Sequence, residues 1–134
     1  MIFFDTNVLV YFTINQDKTK QILSKNLIDE AITNGLFFIS PLVMSEYIFV
    51  LAKLKIEKEN SDKIHFFSKF IKSEISSKEI IQAYDICKEI GFCKNINDII
   101  HLVVAQKYCN KIVTFDNDFK KLQDKSSIKI EILI

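Results

Sequence analysis

Four carboxylates lie in surroundings that do not suit a charge. Asp5 follows the apolar run Ile2-Phe3-Phe4 and is itself followed by Thr6 and Asn7. Glu46 sits within PLVMSEYIFVLAKL, with Ser45 as its one small polar neighbour. Asp98 opens DIIHLVVA, and Asp116 closes KIVTFD. Burying a lone ionised carboxylate costs several kcal/mol unless donors or a cation compensate it. If the four gather in one place they repel one another, and a hard divalent cation with oxygen ligands relieves the repulsion. Mg2+ or Mn2+ held this way activates water and stabilises a phosphoryl transition state.

Each acid also has a plainer reading. Asp5, Asp98 and Asp116 each precede an expected helix, and Asp is a favoured N-cap. Asn97 could cap the helix expected over Asn97 to Cys109 equally well, which leaves Asp98 less explained. For Glu46 the plain alternative is an exposed strip of its helix, since no basic residue precedes Lys53 there.

The elements that would carry these acids follow from apolar patterning. Met1–Phe4 fits a strand buried on both faces, and Asn7 to Phe12 begins a helix. A second helix runs from Asp17 to Asn34 and stops at Asn34-Gly35. Leu36–Ser40 reads as a strand, and Pro41 suits the first turn of a helix over Leu42 to Lys55. Further helices are expected over Glu57 to Lys72, Ser77 to Ile90 and Asn97 to Cys109, with a short strand at Lys72–Ser76. A strand at Lys111–Phe115, a helical turn near Asp118–Leu122 and a last strand in IKIEILI complete the chain. That last segment puts isoleucines on one face and Lys129 and Glu131 on the other, as an edge strand would. Strands alternating with helices imply a mostly parallel sheet covered on both sides. In such sheets ligands collect outside the carboxyl ends of the strands, where Asp5 and Asp116 lie. Asp98 at a helix start and Glu46 one turn into its helix can reach the same edge.

Composition narrows the partners. A chain of 134 residues, 49% hydrophobic, suits one domain that folds without disulfide or structural metal. The net charge is +1, and all eighteen basic residues are Lys. Bidentate guanidinium contacts to phosphate or guanine are therefore excluded. Cys87, Cys93 and Cys109 lack CxxC spacing and are expected as reduced thiols of a cytoplasmic protein. No signal-peptide pattern or long apolar run marks secretion or a membrane span.

DTN after the first strand, a Glu in the helix after the second, NDIIHLVVA and TFDNDF together resemble the PIN domain family. Those motifs run from Asp5 to Phe119, in the family's order. The resemblance implies a three-layer α/β/α sandwich around a mostly parallel sheet of four or five strands. It implies a metal-dependent endoribonuclease, the VapC-like toxin of a toxin–antitoxin pair, with Asp5, Glu46, Asp98 and Asp116 around one or two Mg2+ or Mn2+ ions. Thr6, Asn7, Thr114 and Asp118 would then support those ligands. His101 resembles a D-x-x-H variant of the third motif and is expected to be structural. Lys94, Lys120 and Lys121, near the third and fourth motifs, are candidates for RNA phosphate contacts, in place of the Arg found in relatives. A homodimer and a small antitoxin are the implied partners, with aromatic-rich surfaces such as Phe66, Phe67 and Phe70 available to them.

Three other readings stand beside this one. The chain could be a non-catalytic module of the same fold that binds an antitoxin or RNA, or a PIN nuclease outside any toxin–antitoxin pair. A haloacid-dehalogenase-like phosphatase resembles DxDxT after its first strand, and Asn7 here stands where the second Asp would be.

Overall fold

The computed structural model describes residues 1–134. Its elements run β1 (Ile2–Phe4), α1 (Thr6–Thr13), α2 (Lys18–Thr33), β2 (Phe37–Phe38), α3 (Pro41–Lys53) and α4 (Ser61–Ser68). They continue with α5 (Ser77–Ile90), a 3-10 turn at Cys93–Asn95, α6 (Ile96–Tyr108), β3 (Lys111–Thr114), a 3-10 segment at Asn117–Lys125 and β4 (Lys129–Ile132). Every strand pair is parallel, in the order β2-β1-β3-β4. Helices α1, α2 and α3 pack together, α5 packs on α6, and both groups reach the sheet, which gives the α/β/α layering.

Register does the positioning. Phe4 aligns with Val113, and the Asp5 amide continues the ladder by donating to the Val113 carbonyl at 3.0 Å. Asp5 therefore emerges beside Thr114, two residues before Asp116. The strands stay in place because their side chains are core: Phe3, Phe4, Ile112 and Val113 are all buried. Local signals close the helices. Ser40 caps α3 by accepting from the Val43 amide, with Pro41 in the first turn. Ser76 and Glu79 form a capping box on α5, and Gly91 ends it with φ +67°, a conformation that suits glycine.

Three expectations need correcting. The helix expected over Glu57 to Lys72 shrinks to α4, because Lys55 adopts φ +60° and the Asn60 side chain donates to the Ile56 carbonyl. Lys72–Ser76 forms no strand, and only a bridge between Ile39 and Ile71 lies beside the sheet. Cys87 and Cys93 are paired as a disulfide rather than left as thiols, since the Gly91 turn folds the chain back to a Cα separation of 4.9 Å. Cys109 is free and buried. The C-terminal strand does take the edge, as β4 beside β3. No helix is long and apolar enough to cross a membrane.

Phe67 is the hub of the core behind α3 rather than part of a surface. It is fully buried and packs against Phe12, Phe37 and Tyr47 with ring centroids 5.3, 5.9 and 5.7 Å away. Removing such a ring costs about 3–5 kcal/mol, a large part of a domain's typical stability of about 5–15 kcal/mol. Phe67→Ala is therefore expected to move the urea midpoint far down, whereas Phe66→Ala, at a side chain 41% exposed, should move it little.

Candidate metal centre

The cleft at the carboxyl edge of the sheet has a volume of about 700 Å3, and Asp5, Glu46, Asp98 and Asp116 all line it. The four acids that the sequence singled out thus come together from β1, α3, α6 and the end of β3.

Asp5 is the most tightly held. Its Oδ1 accepts from the Thr6 amide at 2.8 Å, and Oδ2 accepts from Thr114 Oγ1 at 2.6 Å and Asn7 Nδ2 at 3.2 Å. The Thr6 bond is also the N-cap of α1, so capping and positioning are one interaction. Asn7 Oδ1 in turn accepts from the Phe115 amide at 3.1 Å, which ties α1 to the loop carrying Asp116.

Glu46 is not an exposed strip. Its Oε1 accepts from Thr6 Oγ1 at 2.6 Å and lies 2.7 Å from His101 Nε2, while Oε2 accepts from Asn97 Nδ2 at 3.2 Å. A carboxylate only accepts, so Nε2 carries the hydrogen of this bond. His101 Nδ1 is buried without a partner. His101 is thus a structural clamp on Glu46, and its Nε2 also lies 3.7 Å from Asp5.

Asp98 and Asp116 are more open. Asp98 lies inside the first turn of α6 rather than at its cap, and its Oδ2 accepts from Asn95 Nδ2 at 3.3 Å. Asp116 caps the following 3-10 segment by accepting from the Asp118 amide at 2.8 Å. Asn95 also reaches Asp118, at 3.4 Å. Ligand-capable oxygens of Asp98, Asp116 and Asp118 lie within 4.8 Å of one another, as do the ligand atoms of Asp5, Glu46 and His101. Asp118 is the exposed member of its group.

Asn95, Asn97 and the clamp role of His101 were missed by sequence reasoning. Asn97, read as a possible cap, instead reaches across to Glu46. The only signal for these residues was their closeness to Asp98 in the chain. Lys94, Lys120 and Lys121 do not line the cleft. Lys121 lies with its Nζ 4.7 Å from the centre of the Phe92 ring, on a neighbouring flank.

Electrostatics report the crowding. Burial, with Asp5 and then Asp116 close by, pushes Asp98 up to about 6. Burial likewise raises Asp5, against the opposing pull of His101 and Thr114. Burial pushes Glu46 upward too, but the His101, Thr6 and Asn97 bonds outweigh it and hold Glu46 below the ordinary range. Burial disfavours a charge on His101, but the Glu46 bond and the Asp5 charge outweigh it and raise the imidazole.

The sign of the pH dependence follows. A carboxyl raised in the folded state contributes stability below its unfolded pKa near 4, and that contribution is lost as pH rises to about 6. Raised His101 adds a further loss above the ordinary imidazole range, while depressed Glu46 is already fully ionised by then. Without divalent ions, the protein should melt at lower temperature at pH 7.5 than at pH 5. Allowing for the partial exposure of Asp98, the effect is about 1–2 kcal/mol, or roughly 5 °C. Thermal melts in EDTA measure it, and a rising trend would contradict the crowded site.

Comparison with known proteins bears on the family and the fold. The sequence model of the PIN domain matches residues 2–125. Ribonuclease VapC2 of Methanocaldococcus jannaschii is 28% identical over 145 aligned positions, covering 96% of this chain and 93% of that protein. A chain in the crystal structure of VapBC2 from Rickettsia felis, bound to a DNA fragment from their promoter, superposes with a TM-score of 0.72. Its identity is 20% and both chains are covered in full, so this likeness speaks to the fold.

Proposed function

We propose, from the premise that this chain belongs to the PIN domain family, that it is a metal-dependent endoribonuclease and the toxin of a toxin–antitoxin pair. The observation that carries the reading is the convergence of Asp5, Glu46, Asp98 and Asp116 on one cleft. The donor set fits a hard divalent cation, Mg2+ or Mn2+: it is oxygen-rich and anionic, and no Lys lines the cleft to neutralise it. Such an ion supplies Lewis-acid stabilisation of phosphoryl charge and a water acidic enough to attack at neutral pH.

The chain's own residues do the rest. Asp5, Asp98 and Asp116 are the ligands of this reading. Oδ1 of Asp98 and Oδ2 of Asp116 have no protein donor and are free to coordinate. Asp5 is held by three donors, and this preorganisation lets it bind without rearranging. Glu46, clamped by Thr6, His101 and Asn97, serves as a further ligand or as the acceptor that orients the attacking water. Asp118, tied to Asp98 through Asn95, adds negative charge beside Asp98 and Asp116. The phosphodiester would be opened by in-line attack.

The Methanocaldococcus relative is named a ribonuclease, and this supports RNA as the substrate. The Rickettsia assembly supports a small antitoxin as partner. A homodimer belongs to the same reading, and Lys94, Lys120 and Lys121 would meet phosphates beyond the cleft. Incubation with RNA, single-stranded DNA and a phosphomonoester, each with Mn2+ or EDTA, tests it. RNA cleavage only with Mn2+ is expected. Hydrolysis of the phosphomonoester alone would point to a phosphatase, and no hydrolysis of any substrate to a binding module.

A further inference from the structure

The cleft has two unlike halves. Beyond the acids, its wall is formed by Val10, Tyr11, Leu42, Phe49 and Val50. The spacing explains the division. Leu42, Ser45, Glu46, Phe49 and Val50 fall at i, i+3, i+4, i+7 and i+8 on α3, and so share one face. Tyr11 stands four residues after Asn7 on α1. Each apolar residue thus sits about one turn from a polar one, an axial offset of about 4.5–6 Å at 1.5 Å per residue.

Two aromatic rings differ within this half. Tyr11 is fixed, edge-on to Phe115 at 5.0 Å, with Lys20 Nζ 4.9 Å from its centre. Phe49 is 67% exposed, the most exposed phenylalanine of the core-facing helices, and pairs with no other ring. Nothing in the fold explains an unpacked aromatic ring at the mouth of an acidic cleft. No Lys lines that cleft, so cationic side chains do not hold an anionic strand there. A ligand that bridges both halves must carry phosphate at one end and a flat, uncharged, apolar-faced group about one helical turn away.

We infer that Phe49 is the stacking platform for an unpaired nucleobase of the RNA next to the scissile phosphate. This rests on the ribonuclease reading above and deepens it by naming the residue that holds a substrate base; a base stacked on protein is out of its helix. Val50 and Tyr11 wall the pocket, and Phe49 supplies the face. The stacking contact supplies, inside a cleft that no Lys lines, a hold on the strand that lysines beyond the cleft cannot give there.

The test uses whichever RNA the native protein cleaves in Mn2+. KM and kcat are measured for the native protein, Phe49→Trp, Phe49→Leu and Phe49→Ala, with Ile81→Ala as a control on α5, where the side chain is 58% exposed. Leu and Ala should raise KM about tenfold, equivalent to about 1.4 kcal/mol and inside the range of base–aromatic stacking. The kcat values should stay within about twofold, Trp should restore KM, and Ile81→Ala should not alter it. A complementary strand annealed across the site should block cleavage. A native KM in Phe49→Leu overturns the stacking site while leaving the nuclease reading intact. The same holds if that variant changes only the oligomeric mass or the capture of an antitoxin peptide. If the native protein cleaves no RNA although Mn2+ still raises its melting temperature, the nuclease reading fails and the stacking site with it.

Discussion

Asp5→Asn should reduce Mn2+-dependent RNA cleavage by at least about a thousandfold, on the order of 4 kcal/mol of transition-state stabilisation, while the protein stays folded. The side chain keeps its shape but loses the charge that a cation needs. Folding should survive because the folded state already disfavours that charge: burial raises Asp5. A neutral amide still accepts through one oxygen, from Thr6 or from Thr114, and loses only part of the donor set. A modest shift in the melt with cleavage gone is the expected pair of results. Full activity in this variant would remove Asp5 from the site, and global unfolding would mean that the assay had measured stability instead. Thr114→Val separates the two effects, since it removes the 2.6 Å bond to Asp5 without touching a carboxylate. It should weaken cleavage less than Asp5→Asn does.

The second large effect is thermal. Saturating Mn2+ should raise the melting temperature, because a ligand bound only by the folded state stabilises it, by about 2.7 kcal/mol at a hundred times its dissociation constant. For a domain of this size that is roughly 10 °C. Asp98→Asn should shrink the shift. The same substitution should raise the melting temperature in EDTA, because it removes a carboxyl that burial and the neighbouring Asp5 and Asp116 push up to about 6. These opposite signs are hard to produce in any other way. An equal Mn2+ shift in both proteins would place the ion elsewhere.

Much of this arrangement was legible because it follows from short-range order. An apolar strand followed closely by an acid, repeated at β1 and β3, brings Asp5 and Asp116 to one edge of the sheet once the strands pair in parallel. Glu46 was legible because an acid in an otherwise apolar helix requires compensation, and Thr6, His101 and Asn97 provide it. Thr6 was expected to support the site and His101 to be structural, but their pairing with Glu46, and that of Asn97, was not legible. These residues sit on other elements, at separations of 40, 55 and 51 residues, and no spacing rule connects them. Asn97 looked like a helix cap, yet it makes no side-chain cap; it and Asn95, which no motif marked, turn to carboxylates instead. Phe67 and Phe49 illustrate the same limit from the apolar side. Both looked like helix aromatics, and only tertiary packing decided that Phe67 is core and Phe49 lies open at the cleft. The Cys87–Cys93 pair escaped notice because its closeness depends on one left-handed glycine, whose turn brings the two residues together.

The claim beneath all of these results is that the carboxylates form a divalent-cation site. Anomalous X-ray scattering from crystals soaked in Mn2+ tests it most directly. The account predicts a Mn2+ peak within coordination distance of carboxylate oxygens from Asp5, Asp98 and Asp116, absent from crystals of Asp5→Asn soaked in the same way. A map with no peak among these acids, or one whose peak persists unchanged in that variant, would contradict it.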